Sequence, residues 1–321
     1  MTATSLRQAG RRRDDVSAAL VRGAMNGWVE ALSVGPPVSF GGLTMMPLLA
    51  PAAIDPGWLL MDEALADGVV EVSEISRAGS VPVLRVSNSG MREVLLLDGE
   101  ELVGGKQNRV LNTTVLVGAR STTDIPVSCV EQGRWQYRGR RFASSGNSLY
   151  AQARWAKLAA VSASLREGVG HVSNQVGIWG DVNWRAARMG VNSRVMADAF
   201  TASERDLQTY QRALRAGQDQ VGALLYGGDS WWGMETLASA NLFARAWPRI
   251  LSGYVMDALW RRPAGEPNEP STRRLDAVLQ ASVDVFTAVG AGADCRLQGD
   301  GLVGAALVVD EIVAHCTVFP C

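Results

Sequence analysis

The densest cluster of chemically capable side chains runs from Asp98 to Arg109 and lies between two apolar, strand-like segments. Carboxylates suit proton transfer, amides orient polar substrates, and Lys and Arg hold phosphate or developing negative charge. A Gly-Gly pair in the same segment lets the backbone approach a ligand closely. The segment therefore predicts a small-molecule site, and the same pattern also fits a solvated hairpin with its charges outward. The polar members and the glycines are Glu100, Glu101, Gly104, Gly105, Lys106, Gln107, Asn108 and Arg109.

A second polar cluster follows the next strand-like run, at Glu131, Arg134 and Trp135. Strand ends are common places for binding residues, and Trp135 or Tyr137 offers a ring on which a planar base can stack. Cys129 lies in the preceding apolar run, so we expect an inert core thiol there.

Residue type assigns roles within these two clusters. The catalytic candidates are Glu101 or Glu131 as general base and Lys106 as a point charge. The predicted ligand-binding residues are Glu100, Gln107, Asn108, Arg109, Asn112, Arg134 and Trp135. Adjacent strand residues point to opposite faces, so in a regular strand at most one of Glu100 and Glu101 faces a pocket.

The elements that must position these residues change character along the chain. Residues 35–140 contain short β-branched runs with connections too short for helical crossovers, which predicts a mainly antiparallel sheet. Residues 148–262 have helical spacing, and residues 271–320 predict a short helix followed by strands that return to a sheet. The prediction is one α+β domain over residues 35–320, preceded by a flexible tail at residues 1–30.

Composition excludes several classes of function. The net charge of −1 gives no global positive field for nucleic acid, and no apolar core of a signal peptide is visible near the N-terminus. The uncharged run 31–54 contains four prolines, so it cannot be a regular membrane helix, and we expect a cytoplasmic protein. Only two histidines and no C-x-x-C pair occur, so no metal site is predicted. Neither a phosphate-binding loop nor a dinucleotide fingerprint is present, and the sequence names no cofactor.

The run Asp98-Gly-Glu-Glu-Leu-Val-Gly-Gly-Lys-Gln-Asn-Arg-Val-Leu-Asn112, with Ile125-Pro-Val-Ser-Cys-Val-Glu-Gln-Gly-Arg-Trp135, resembles an uncharacterised family. That family is the domain associated with ADP-ribosylglycohydrolase and rhodanese-phosphatase proteins. The resemblance covers roughly residues 35–320 and implies an α+β domain found near genes that handle ADP-ribose or nucleotide derivatives. Genomic association says little about chemistry.

The leading hypothesis is an enzyme or sensor of a nucleotide- or ADP-ribose-derived, phosphate-bearing small molecule. Whether it catalyses turnover is left open. The alternative is a non-catalytic interaction module, in which the polar residues form a buried network and a Trp-rich helical half packs against a partner or a second copy as a homo-oligomer. Its tryptophans are Trp231, Trp232, Trp247 and Trp260.

Overall fold

The computed structural model describes residues 18–76, 82–139, 141–188, 190–191, 193–265 and 272–321. The fold is α+β, as predicted, with β-rich segments first, most of the helices in the middle and strands at the C-terminal end. The helices are α1 (residues 18–30), α2 (Met61–Ala66), α3 (Ala151–Arg166), α4 (Gln175–Arg188), α5 (Met196–Ala202), α6 (Glu204–Ala213), α7 (Ala240–Arg261) and α8 (Thr272–Gln280).

A nine-stranded antiparallel sheet joins the two ends of the chain. Eight strands lie in the order β1-β3-β13-β14-β18-β17-β16-β15, and β2 pairs with β3. The predicted return of the C-terminal strands to a sheet is therefore confirmed. The strands are β1 (Ser33–Val34), β2 (Val38–Phe40), β3 (Leu43–Leu49), β13 (Gln220–Gly227), β14 (Ser230–Leu237), β15 (Ser282–Thr287), β16 (Ala293–Gly299), β17 (Leu302–Val309) and β18 (Ile312–Pro320).

A six-stranded antiparallel sheet carries the predicted site, in the order β12-β8-β9-β11-β6-β5. An isolated bridge between Ser73 and Arg141 joins its two edges, so we refer to this sheet as the small barrel. Alternate apolar side chains from its strands fill a common interior, as the period-2 pattern requires. The strands are β5 (Val70–Glu74), β6 (Val83–Asn88), β8 (Glu100–Gly104), β9 (Arg109–Leu111), β11 (Ser121–Cys129) and β12 (Phe142–Ser148).

A third, short sheet has three strands, with β7 in the centre. In chain order its strands are β4 (Leu59–Leu60), β7 (Val94–Leu96) and β10 (Val115–Val117). The β4–β7 pair is parallel, and β7 pairs antiparallel with β10. One face of this sheet belongs to the same core cluster as the barrel interior, and the other face, with Leu60, Leu95 and Leu116, belongs to the main apolar core. In the chain, the polar hairpin β8–β9 lies between β7 and β10, two apolar strands that pair with each other.

Two segments differ from the sequence prediction. Residues 220–237 lie within the predicted helical segment 148–262 but form the hairpin β13–β14. The side chains of β13 are buried on both faces, which removes the alternation that identifies a half-exposed strand. In the predicted tail, residues 18–30 form α1, because Met25 and Val29 are buried in a core cluster; residues 1–17 lie outside the described residues.

No helix in the described ranges is both long and apolar enough to span a bilayer.

Candidate functional site

One end of the small barrel is lined by charged residues instead of apolar ones. Arg109 pairs across strands with Leu102 and Cys129, so these three side chains share the inner face. Glu74 continues the buried row of Val70 and Val72 on β5. We call this end the barrel mouth, formed by Glu74, Lys106, Arg109, Cys129, Trp135 and Tyr137.

Arg109 is the most unusual residue of the mouth, because its side chain is fully buried without being fully paired. Its Nη1 donates to the backbone oxygen of Gln107 at 2.9 Å. Among the described residues its Nε and Nη2 have no hydrogen-bond partner, and the nearest carboxylate, Glu74, forms a long ion pair at 3.9 Å from Nη2. Burial lowers the pKa of Arg109, yet a guanidinium stays charged in proteins. A buried charged edge without partners is costly and marks a place where an anion would be stabilised.

Aromatic rings form the outer boundary of the mouth. The Lys106 ammonium lies 5.1 Å from the ring centroid of Trp135 and 5.2 Å from that of Tyr137. The Arg109 guanidinium carbon is 5.9 Å from the Trp135 ring. Both rings are nearly half exposed, while Lys106 is buried. The arrangement places two cations directly beneath two accessible π-faces.

The loop that carries Trp135 is held by an ion pair between Glu131 and Arg134. Arg134 donates Nε and Nη2 to the two Glu131 oxygens, both at 2.6 Å, and Nη1 to the carbonyl oxygens of Gly105 and Gln136. Burial alone would raise the pKa of Glu131, but the bonds from Arg134 and the Asn108 backbone leave it lowered. Glu131 and Arg134, predicted as base and ligand contact, therefore position the loop.

The Gly104-Gly105 pair is required by packing within the protein. Both residues have positive φ, at 132° and 46°. A Cβ on Gly105 would lie 2.2 Å from the ring of Phe142, and one on Gly104 would lie 2.6 Å from the Arg141 oxygen. The glycines were predicted to let a ligand approach the backbone closely. In the structure, Phe142 of β12 and the preceding Arg141 occupy that space.

Glu101 lies on the other face of the hairpin from Arg109. It pairs across the strands with Val110, which faces the main apolar core. Burial raises the pKa of Glu101 to about 7, although the nearby Ser145 and Asn108 side chains partly oppose the rise. Neither of its carboxyl oxygens makes a well-formed hydrogen bond. Glu101 has the pKa of a general base, but it does not face the unpaired edge of Arg109.

Two other predicted ligand residues are directed elsewhere. Glu100 forms an ion pair with Arg249 of α7 at 2.5 Å, on the opposite side of β8 from Glu101. Asn112 accepts a hydrogen bond from Ser128 at 2.6 Å and donates to the His171 carbonyl oxygen at 3.0 Å. Gln107 stays at the mouth, where its side-chain oxygen is 3.2 Å from the Cys129 sulfur. Burial raises the pKa of the Cys129 thiol, in agreement with the expected inert cysteine.

A second buried polar cluster lies between the large sheet and α3. We call it the central network, formed by Asp98, Arg154, Lys157, Glu235, Tyr254 and His315. Arg154 donates to Glu235 at 2.7 Å, Tyr254 donates to Glu235 at 2.9 Å, and Lys157 pairs with Asp98. The His315 ring nitrogens lie 3.2 Å from Glu235 and 2.7 Å from Thr114, as expected for a hydrogen-bonded core histidine.

Electrostatics in the central network favour ionised, paired groups. Burial alone would raise the pKa of Glu235, but Arg154 and His315 together hold it at about 2. No buried polar side-chain atom of the six network residues lacks a partner. The network therefore resembles a satisfied structural core more than a ligand site.

Sequence reasoning missed Glu74, the carboxylate that shares the inner face with Arg109. Its Oε1 accepts a hydrogen bond from the Lys106 backbone nitrogen at 3.2 Å, and its Oε2 is buried without a partner. Glu74 lies 35 positions before Arg109 and ends an ordinary alternating strand. The sequence could have revealed Glu74, because it follows Val70 and Val72 at a spacing of two residues and so faces the same side of the strand.

Comparison with known proteins identifies one family model along most of the chain. The model of the ARG and Rhodanese-Phosphatase-superfamily-associated Protein domain matches residues 31–319. That description carries the rhodanese-phosphatase association named above and prints ARG without expanding it, so the association with ADP-ribosylglycohydrolase stays an expectation. No curated protein and no solved structure matches the chain significantly.

Proposed function

The chain belongs to the ARG and Rhodanese-Phosphatase-superfamily-associated Protein domain family, and we propose that it binds a phosphate-bearing, nucleotide-derived molecule such as ADP-ribose at the barrel mouth. The observation that carries the proposal is the Nε and Nη2 edge of Arg109, which is buried and lacks hydrogen-bond acceptors. A phosphate offers two oxygens at the spacing that this edge requires.

Two other arginines in the protein use the same edge in the expected way. Arg85 donates Nε and Nη2 to the two oxygens of Asp124 at 2.7 and 2.8 Å. Arg134 does the same with Glu131. Arg109 has the same donors in a drier environment, where a charge-assisted pair is worth more. An oxyanion at the mouth would complete the same bidentate geometry.

The surroundings of Arg109 fit the rest of such a ligand. Lys106 adds a second cation to the mouth, 5.1 Å from the ring centroid of Trp135. The exposed faces of Trp135 and Tyr137 suit a planar base, since base–aromatic stacking contributes about 1–3 kcal/mol per base. A molecule that carries both phosphate and base would contact both parts of the mouth.

Binding is supported better than turnover. Glu131 is held by Arg134, and Glu101 lies on the opposite face of the hairpin. Glu74 is the one mouth carboxylate, and its distance from Arg109 suits a counter-ion. We therefore favour a sensor or binding role, and an enzyme acting at this mouth would use Glu74 as its base.

The alternative hypothesis, a non-catalytic interaction module, has weaker support from the tryptophans on which it was based. Trp231, Trp232 and Trp247 are buried within the chain and are not available to a partner.

Isothermal titration of the protein with ADP-ribose tests the proposal. Arg109→Met keeps the apolar stem and removes the charge, and we expect at least a hundredfold loss of affinity because two charge-assisted bonds disappear. Arg85→Met is the matched control, since it removes the same edge from an exposed arginine, and it should bind as wild type. Equal affinity in all three proteins, or no binding by the wild type to ADP-ribose, AMP or pyrophosphate, would refute the proposal.

A further inference from the structure

A cleft of about 550 Å³ lies between α3, α4 and the C-terminal end of α7. Its lining is mostly apolar, with a few polar groups at the edges, and its volume falls within the range of small-molecule sites. We call it the tryptophan cleft, formed by Gln152, Trp155, Ile178, Trp184, Trp260 and Arg261. It shares no lining residue with the barrel mouth.

Indole rings from three helices form the walls of the cleft. The Trp184 and Trp260 rings have centroids 4.7 Å apart and are tilted by 59°. Trp184 is 44% exposed, which is unusual for a large apolar residue beside a cleft. The Trp155 indole nitrogen is buried and has no hydrogen-bond partner. Flat aromatic ligands suit such walls, because offset and tilted ring contacts are favourable.

Charge distinguishes the rim of the cleft from its floor. At the floor, the Lys157 ammonium is directed to Asp98 and to the Asn112 carbonyl oxygen, which lies 3.2 Å away. Asp181, the acidic residue of the lining, is paired with Arg185 at 2.8 Å. The Lys157 charge is thus compensated by Asp98, whereas Arg185 is shared between Asp181 and Asp257 of α7.

Arg261 is the charged rim residue whose charge stays uncompensated by an ion pair in the described part of the chain. Its guanidinium lies 5.7 Å from the Trp260 ring and 5.3 Å from the Trp232 ring. Its hydrogen bond, at 2.5 Å, goes to the neutral amide oxygen of Gln152. A cation held flat between aromatic faces presents its remaining donors to an anion at the rim.

We propose that the tryptophan cleft is a second ligand site, for a planar aromatic molecule that carries one anionic group. The aromatic part packs against the Trp184–Trp260 pair and against Trp155, and the anion contacts Arg261. This site is independent of the barrel mouth and of the function proposed for it.

Two fluorescent probes that differ by one sulfonate test both halves of the proposal: 8-anilinonaphthalene-1-sulfonate and uncharged N-phenyl-1-naphthylamine. We expect one saturable site for the anionic probe, which excess ADP-ribose does not displace. Trp184→Ala should weaken both probes about tenfold, since it removes one aromatic wall. Arg261→Gln should weaken only the sulfonated probe, by about tenfold, and leave the uncharged probe unchanged.

Matched controls separate this outcome from general dye binding. Phe40→Ala removes another exposed aromatic ring, on β2, and Arg85→Gln removes an exposed arginine on the barrel; neither should change the affinity of either probe. Wild-type affinity in both Trp184→Ala and Arg261→Gln, or equal losses in the control variants, would overturn the proposal. Thermal unfolding of each variant confirms that the compared proteins are folded.

Discussion

The central network and the barrel mouth are both buried and charged, yet they differ in how their charges are paired. In the network, Glu235 alone bonds Arg154, Tyr254 and His315. At the mouth, two Arg109 donors and one Glu74 oxygen have no hydrogen-bond partner within the described part of the chain. Hydrogen bonds and ion pairs within the protein compensate the burial of charge in the central network, whereas part of the buried charge at the mouth lacks such compensation.

That difference assigns different roles to residues of the same type. A buried polar group without a partner costs about 1–3 kcal/mol, and more when it is charged. Folds retain such groups mainly where function requires them. We therefore interpret the network as the connection that holds α3 against the large sheet, and the mouth as a buried site prepared for an anion. Substitutions in the network should act on stability, and those at the mouth on binding.

The largest expected effect is that of Glu235→Gln. The substitution keeps the side-chain volume and one acceptor oxygen but removes the carboxylate charge, so the ion pair that remains for Arg154 is the longer one with Asp98, at 3.4 Å. Breaking a buried pair in this way typically costs about 3–5 kcal/mol of unfolding free energy. Urea unfolding at pH 7, followed by tryptophan fluorescence, measures it. Arg109→Met should lose less stability than Glu235→Gln, because its short hydrogen bond goes to a backbone oxygen and its ion pair with Glu74 is long, at 3.9 Å. A larger loss there than in Glu235→Gln would reverse the assignment.

Acid titration of wild type sharpens the same contrast. The folded pKa of Glu235 is about 2, below its ordinary value of 4.5. Its stabilising contribution is complete above pH 4.5 and is lost as the pH falls towards 2. Glu235→Gln should lack this part of the acid sensitivity.

The next effect concerns Glu101, whose contribution to stability changes with pH in the opposite direction to that of Glu235. Its folded pKa of about 7 exceeds the ordinary 4.5, so the folded state holds a proton that the unfolded state has lost in this window. Stability should therefore fall as pH rises from 4.5 to 7, by roughly 3 kcal/mol at most. Glu101→Gln should raise the melting temperature at pH 8 and change it little at pH 4.5. Parallel pH profiles for variant and wild type would disprove burial as the cause.

A smaller effect is expected for Trp135→Ala at the rim of the mouth. Loss of stacking should weaken ADP-ribose about tenfold, within the range of about 1–3 kcal/mol for one base. Ribose 5-phosphate, which has no base, should bind the variant and wild type equally. Calorimetric titration of the two ligands distinguishes stacking from a general disturbance of the loop, which would weaken both.

The smallest effect is expected for Arg85→Ala. Arg85 and Asp124 form a bidentate pair on the outside of the barrel, with both side chains nearly half exposed. Exposed pairs typically contribute about 0.2–1 kcal/mol and are screened by salt. Urea unfolding at low and high salt should show this small loss only at low salt. A loss comparable with that of Glu235→Gln would show that pairing alone, without burial, determines stability.

Parts of this picture follow from the sequence because their signals are local. The apolar runs 302–309 and 312–319, the first preceded by Gly299 and Gly301, predict strands, and these agree with β17 and β18. The Asp98–Arg109 segment stands out because polar residues interrupt an apolar strand region. The hairpin β13–β14 escaped prediction because burial on both faces hides the strand period.

The pairing within each site had no local signal. Glu235 and His315 lie on the neighbouring strands β14 and β18 of the large sheet, and Arg154 of α3 and Asp98 reach them only through the packing of distant segments. The division of the polar hairpin also depends on register, because a shift of one residue would exchange the faces of Glu101 and Arg109. Residue types therefore predicted a site, whereas the register determined which residues share it.

The most direct test is a ¹H–¹⁵N spectrum of the arginine Nε–H groups, recorded with and without ADP-ribose. Arg109→Met identifies the Arg109 resonance by its absence, and Arg154 serves as the paired, buried reference within the same spectrum. Hydrogen bonding to phosphate should shift the Arg109 resonance and protect it from exchange, while the Arg154 resonance stays in place. An unchanged Arg109 resonance at an ADP-ribose concentration that saturates binding would contradict the account.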